Sequence, residues 1–222
     1  LAGVLAAGDS NLGRRKMIAI LLQGIFGLAT LFAVVALGAL LYTVVSDGAR
    51  WLSWDLLTQS NSRKAENAGF QSGIIGTFWV ISLTALLAIP IGIGAAVYLE
   101  EYAPSNWWTK ILQTNISNLA GVPSVVYGLL GLSLFVYFLG FGRSVLAAAL
   151  TMGLLILPVI IIASQESIRA VPSSLREAAF ALGATRWQVV RSHVLPAAMP
   201  GILTGTILAL SRAIGETAPL VV

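Results

Sequence analysis

The chain has 222 residues, 57% of them apolar and 10% charged, whereas soluble domains carry about 25% charged residues, so a water-soluble globule is not expected. Thirteen basic and nine acidic residues give a formal charge of +4, but the basic residues are scattered between apolar runs and form no patch or arm, which sets nucleic acid aside as a partner. Zero cysteines and one histidine argue against disulfides, iron–sulfur clusters and the usual zinc constellations, and no metal or cofactor is expected.

In chain order, a basic cluster of Arg14, Arg15 and Lys16 precedes a 29-residue, mainly apolar run from Met17 to Val45. That run is longer than a signal-peptide core of about 7 to 15 residues, and it reads as a start-transfer helix. Four more hydrophobic stretches follow: Gly73 to Leu99, Asn115 to Leu139, Ser144 to Ser164 and Ala197 to Val222. Each exceeds the roughly 18 residues that mark a bilayer span, with Leu, Ala, Ile and Val on all sides, whereas a transmembrane barrel alternates in segments of about ten residues. The expected fold class is an all-α membrane protein, a polytopic helical bundle with five visible spans, forming one transmembrane domain over residues 1–222. The chain opens on Leu1 and ends on apolar Ala218 to Val222 without a flanking charge, so it reads as cut at both ends.

With the N-terminus inside, the inner side holds Arg14, Arg15, Lys16, Lys110, Arg169, Arg176, Arg186 and Arg191. The outer side holds Arg50, Arg63, Lys64 and Arg143, and eight against four favours this orientation. Trp51 and Trp54 follow the first span and Trp107 and Trp108 the second, where interfacial aromatic anchors sit. Gly201 with Gly205, and Ser124 with Gly128, are small residues spaced for close helix approach. Pro90, Pro123 and Pro158 each remove a backbone donor inside a span and predict kinks, while Asn115 and Asn118 open the third span with polar groups. Kinked helices around a polar path suit a transporter better than an inert anchor. Tyr127, Asn118, Ser211 and Thr217 are candidates to line that path or to bond neighbouring helices, and His193 reads as a surface or interfacial residue.

From Gln165 to Pro196 the chain is expected to leave the membrane, reading QESIRAVPSSLREAAFALGATRWQVVRSHVLP. Ser174 and Glu177 have the spacing of a capping box, Pro172 stands just before them, and Gly183 sits where a helix ends in the left-handed conformation. This predicts one short helix over 175–182 and a second, capped by Thr185, that carries Trp187, Val190 and Val194 and stops at Pro196. None of the three lysines follows a glycine, so the phosphate-binding motif GxxxxGK[ST] is missing and nucleotide hydrolysis must come from a partner.

Glu177, Ala178, Ala179, Gly183 and the later Leu195–Pro196 together resemble the EAA loop of bacterial ATP-binding-cassette importer permeases. The resemblance implies that the loop docks on a cytoplasmic ATPase, and a rigid helix pair is what such coupling needs. AGVPSVVYGLLGL at 120–132, SLREAAFALGATRWQVV at 174–190 and SRAIGETAPLVV at 211–222 are similar to phosphate-import permeases, the GETAPL ending resembling the PstA type more than its PstC partner. This likeness covers about Gly73 to Val222. It implies a multi-pass bacterial inner-membrane subunit with no catalytic site of its own. The implied partners are a PstC-type second permease, PstB-type ATPase subunits, a PstS-type external phosphate-binding protein and the surrounding lipid. A sixth span follows in that family, and it is not visible here. A permease for another oxyanion, such as sulfate or molybdate, is the alternative.

The residues themselves point to an anion at Arg212 and Glu216. Arg212 lies 16 residues beyond Pro196, about 24 Å along a helix. A charge at mid-bilayer costs about 2.5 to 3.5 kcal/mol on insertion scales, so it is kept only where it faces a cavity or a partner. Glu216, four residues later, is expected on the same helix face. Either the two form an ion pair that fastens the span, or Arg212 offers its planar fork to phosphate oxygens while Glu216 accepts a hydrogen bond from the proton that phosphate carries and sulfate lacks.

Overall fold

A computed structural model describes residues 2–49, 52–64 and 68–221, with side chains over 13–49, 52–64 and 68–220. Leu1, Arg50, Trp51 and Val222, named above, lie outside the described residues. The chain divides into two compact units, Leu1–Gln71 and Ser72–Val222.

In the first unit, helix α1 (Ala2–Gly48) contains a stretch, Gly13–Gly48, long and apolar enough to cross a membrane. Thr30 and Thr43 turn their hydroxyls back onto the carbonyls of Phe26 and Ala39 at 2.8 and 3.0 Å, which satisfies them on an otherwise apolar surface. A single turn, α2 (Trp54–Thr58), starts at Ser53, whose hydroxyl oxygen accepts from the Leu56 N–H at 3.3 Å.

The second unit is a helical bundle. Its elements are α3 (Gln71–Val97), α4 (Trp107–Ala120), α5 (Ser124–Gly131), α6 (Val145–Arg169), α7 (Ser173–Ala181), α8 (Arg186–Val189), α9 (Leu195–Gly215) and α10 (Ala218–Val221). Widened π-helical turns extend α3 over Tyr98–Tyr102 and α5 over Leu132–Phe138, and another joins α8 to α9 over Val190–Val194. Among the described residues four helices are long and apolar enough to span a membrane, and the bent pair α4 with Ser124–Phe138 makes a fifth if counted as one.

Helix α6 is the hub, buried along its length from Ala147 to Ile168. The small-residue stripe on α9 seats against it: a Cβ at Gly201 would stand 2.6 Å from the Ser167 hydroxyl oxygen, and one at Gly205 would collide with the Ala163 Cβ. Close backbone approach of this kind replaces the hydrophobic drive that lipid does not supply. On its other side α6 receives α3, where Thr84 donates to the Ala149 carbonyl at 3.2 Å. Two apolar clusters line these contacts. One is built around Met152, Ile156 and Ile160, the other around Ile161, Ile168, Val194 and Ile202.

Three local expectations are corrected. The first is at Pro123, where the expected kink is a full interruption: α4 and the arm Ser124–Phe138 meet at 102°, while Pro90 and Pro158 lie inside continuous helices. Pro123 has no N–H to offer Leu119 four residues back, and it biases Val122 away from helix. The carbonyl freed in this way is taken by the Tyr127 hydroxyl, which donates to Leu119 O at 2.9 Å, and by Val122 N–H at 3.1 Å.

The second correction is that α6 runs on past Ser164 to Arg169, because the polar residues of its last turn are satisfied: Gln165 donates to Glu100 Oε1 at 2.9 Å. The third is that the helix after Thr185 does not stop at Pro196. It passes through the π turn into α9 as one apolar element, Arg186–Gly215, with the proline in the first turn of α9. A widened turn accommodates the ring and the missing donor without a break.

Candidate substrate path and coupling loop

Two regions of the second unit carry the residues singled out by the sequence. The first lies where α9 ends. Helix α9 stops at Gly215, and Glu216 has extended backbone, φ −93° and ψ 111°, with its N–H donating to Ala213 O at 3.3 Å. Glu216 therefore does not share a helix face with Arg212, which corrects the expected geometry. The ion pair is not formed either: Arg212 is exposed, Glu216 half-buried, and among the described residues Arg212 has no carboxylate within 4.0 Å. An arginine without a carboxylate partner among the described residues is available to an anion or a partner subunit.

After Glu216 the chain turns into α10, which packs on α5 so closely that a Cβ at Gly128 would stand 2.9 Å from the Pro219 Cα. The two places where spans lose helical backbone, 121–123 and 216–217, thus flank one contact between α5 and α10. Tyr127 closes the first break through its bond to the Leu119 carbonyl. Irregular backbone at membrane depth is tolerated only where protein buries it or where it lines a water-filled cavity. A cavity of about 220 Å³ opens between α5, the start of α6 and α10, bordered by Gly128, Arg143, Ser144, Thr151 and Pro219, and Arg212 is not on its wall. Of the other polar candidates, Ser211 and Thr217 are exposed near Arg212, Asn118 is exposed on α4, and His193 is exposed.

The second region is the loop between α6 and α9. Helix α7 begins at Ser173 after Pro172 and no side chain caps it, so the expected Ser174–Glu177 capping box is absent. The capping box occurs one helix later: the Thr185 hydroxyl accepts from the Gln188 N–H at 3.4 Å, and Gln188 Oε1 accepts from the Thr185 N–H at 2.8 Å. Gly183 has φ +81°, the left-handed value expected of it. Around it the Ala184 N–H donates to Ala179 O at 3.1 Å and the Gly183 N–H to Phe180 O at 2.9 Å, the paired bonds of a Schellman ending. Ala179 is buried, whereas Glu177 and Ala178 are exposed on α7 beside Leu182 and Phe180, themselves uncovered. Trp187 stands exposed on the following helix.

Sequence reasoning missed Glu100 and Glu101, at the end of α3. Glu100 takes a two-pronged grip from Arg169, Nη2 to Oε1 at 2.6 Å and Nε to Oε2 at 2.9 Å. Glu101 Oε1 accepts from Arg176 Nε and Nη2 at 3.0 and 2.8 Å. The available signal was their position: two adjacent carboxylates, out of nine acidic residues in the chain, directly after a long apolar run and on the basic-rich side.

The pattern of the family described as "Binding-protein-dependent transport system inner membrane component" matches residues 88–221. The chain belongs to this family. It is 37% identical over 207 residues to the probable ABC transporter permease protein YqgI of Bacillus subtilis, covering 93% of this chain and 70% of that one. It is 42% identical over 154 residues to the phosphate transport system permease protein PstA 1 of Mycobacterium tuberculosis, covering 69% of this chain but only 50% of the relative. In fold it is similar to a chain of the MetNI methionine ABC transporter in an inward-facing conformation. The TM-score is 0.59 and the identity 21%, over 66% of this chain and 71% of the other. The match over 88–221 takes in both regions described above, the broken spans and the loop between α6 and α9.

Proposed function

We propose that this chain is the PstA-type transmembrane permease subunit of an ATP-driven importer of inorganic phosphate, one permease domain that forms part of the substrate path and works with a separate ATPase. The observation that carries the substrate half is Arg212, a guanidinium on a long apolar helix that no carboxylate among the described residues neutralises. In a low-dielectric passage such a group is retained for an anion, and its planar fork matches two oxygens of a phosphate at once. The similarity to PstA 1 of Mycobacterium tuberculosis supports phosphate over sulfate or molybdate. Glu216, outside the helix and unpaired with Arg212, is the carboxylate we assign to accept the hydrogen bond of a protonated phosphate, which sulfate cannot offer.

The coupling half rests on α7 and the turn at Gly183, which present Glu177 and Ala178 outward while Ala179 anchors the helix. A PstB-type ATPase docks there, a PstC-type permease completes the path, and a PstS-type receptor delivers substrate from outside. Uptake of labelled phosphate by vesicles holding the full assembly is expected to need ATP and to resist competition by excess sulfate. Equal transport of sulfate would overturn phosphate as substrate.

The N-terminus is assigned to the cytoplasm of the bacterial inner membrane on the basic-residue balance. The chain has no cysteine, so single reporters can be placed freely. An impermeant thiol reagent on intact cells is expected to label Asn61→Cys and not Gln188→Cys, and the reverse pattern would invert the topology.

A further inference from the structure

The coupling loop is joined by the chain only to α6 and α9, yet its strongest polar ties run to α3. Three consecutive residues of the π turn that ends α3 each hold a different element. Glu100 holds the last turn of α6 through Arg169 and Gln165, Glu101 holds α7 through Arg176, and the ring of Tyr102 lies under the Arg186 guanidinium of α8 at 5.9 Å. The turn itself is closed by Ala103 N–H to Tyr98 O at 2.8 Å, a five-residue step. Widening of this kind is frequent at functional sites and re-aims neighbouring side chains.

Arg176 is the central piece. Besides gripping Glu101 it donates from Nη1 to Val171 O at 2.8 Å and from Nη2 to Ile168 O at 2.9 Å. It thereby takes the Val171 carbonyl and shares the Ile168 carbonyl with the Val171 N–H just beyond the end of α6. One side chain thus joins α7, the end of α6 and the end of α3. The pair is largely withdrawn from solvent, Glu101 being 11% exposed and Arg176 22%. Helix α7 has little else to hold it, since Ala179 is its one buried residue. A partly buried charged pair in which two donors converge on one carboxylate oxygen holds position where apolar area is small.

We propose that α3 is a second output of the coupling loop: Glu101–Arg176 is a positioning tie through which movement of α7 is passed to α3 as well as to α6 and α9. This rests on the reading of the loop as the ATPase-docking element. A loop that moved only its covalent neighbours would leave α3 behind, and the α3–α6 contacts around Ala96, Leu99 and Ile161 would have to shear. With the tie intact, α3, α6 and α7 move as one body.

The test uses the complete importer in vesicles, with phosphate uptake per ATP hydrolysed and the amount of co-purified ATPase read side by side. Glu101→Gln keeps the size of the side chain and removes its charge. The double variant Glu101→Cys with Arg176→Cys removes the tie and allows it to be rebuilt with a short bifunctional thiol linker. Both variants are expected to assemble with normal amounts of ATPase. The double variant is expected to lose at least about tenfold in uptake per ATP, and bridging should restore it to within about threefold. Wild-type coupling in the unbridged double variant would overturn the proposal, as would failure of a verified bridge to restore it. Loss of ATPase from Glu101→Gln would make the pair a fastener and also overturn it. Absence of ATP-driven phosphate uptake in the unaltered complex would overturn the functional reading and this inference with it, whereas normal uptake there and in every variant overturns this inference alone.

Discussion

Arg212→Lys is expected to cut phosphate uptake by at least about tenfold while membrane abundance and assembly stay near wild type. Lysine keeps the charge but replaces a planar fork of donors by a strongly hydrated point charge, which cannot engage two oxygens in one geometry. Each factor of ten corresponds to about 1.4 kcal/mol of differential binding, a modest demand on a bidentate, desolvated contact. The structure sharpens this result. Had Arg212 paired with Glu216, lysine would have kept much of the attraction, and removing both charges would have been tolerated or even stabilising. The pair is absent, so no ion pair among the described residues accounts for retention of the arginine. The double variant Arg212→Leu with Glu216→Leu is therefore expected to assemble with its partners and move no phosphate. Uptake by that double variant at matched abundance would reduce Arg212 to a residue that meets a neighbouring subunit.

The spans were legible because lipid imposes a strong rule: a run of apolar residues without charge has no other stable form than a helix. The small-residue stripe Gly201–Gly205 was legible for a related reason, since only close approach rewards glycine within a span, and it seats on Ala163 and Ser167. The loop was legible in its turn chemistry at Gly183 and Thr185, whose roles depend on a few bonds local in sequence. Part of what failed depended on partners far along the chain. Nothing near Gln165 says that Glu100, 65 residues earlier, will satisfy it and let α6 continue. At Pro123 the missed cue was local: Gly121, two residues before it, is where α4 ends, and the freed Leu119 carbonyl is taken by Tyr127, whereas Pro90 and Pro158 have no glycine so placed. The Arg212–Glu216 geometry failed for the simplest cause: a four-residue spacing means a shared face only while the helix lasts, and α9 ends between them.

Gly183→Val is expected to abolish coupled uptake while leaving the spans inserted, and a graded series makes the cause visible. At φ +81° the backbone lies in the left-handed region, and a Cβ built at Gly183 meets nothing within 4 Å. The penalty is therefore conformational and not steric: roughly 1 to 2 kcal/mol for an ordinary side chain, and more for a β-branched one. Against a whole bundle that sum is small, but α7 is a nine-residue helix with one buried side chain, so the cost falls on an element with little stability of its own. A loss of about 2 kcal/mol lowers the population of the ordered turn by up to about thirtyfold. Released from the Schellman bonds at Ala179 and Phe180, α7 would no longer hold a fixed angle to α8, and a loop that yields cannot pass force to the bundle. Gly183→Asn should be close to wild type because asparagine tolerates this conformation, and Gly183→Ala should fall between. The measurements are ATPase co-purification and phosphate uptake across the three variants. Normal values of both for the valine variant would show that the left-handed turn is not needed for coupling, and equal losses for asparagine and valine would move the cause from backbone conformation to the ATPase surface itself.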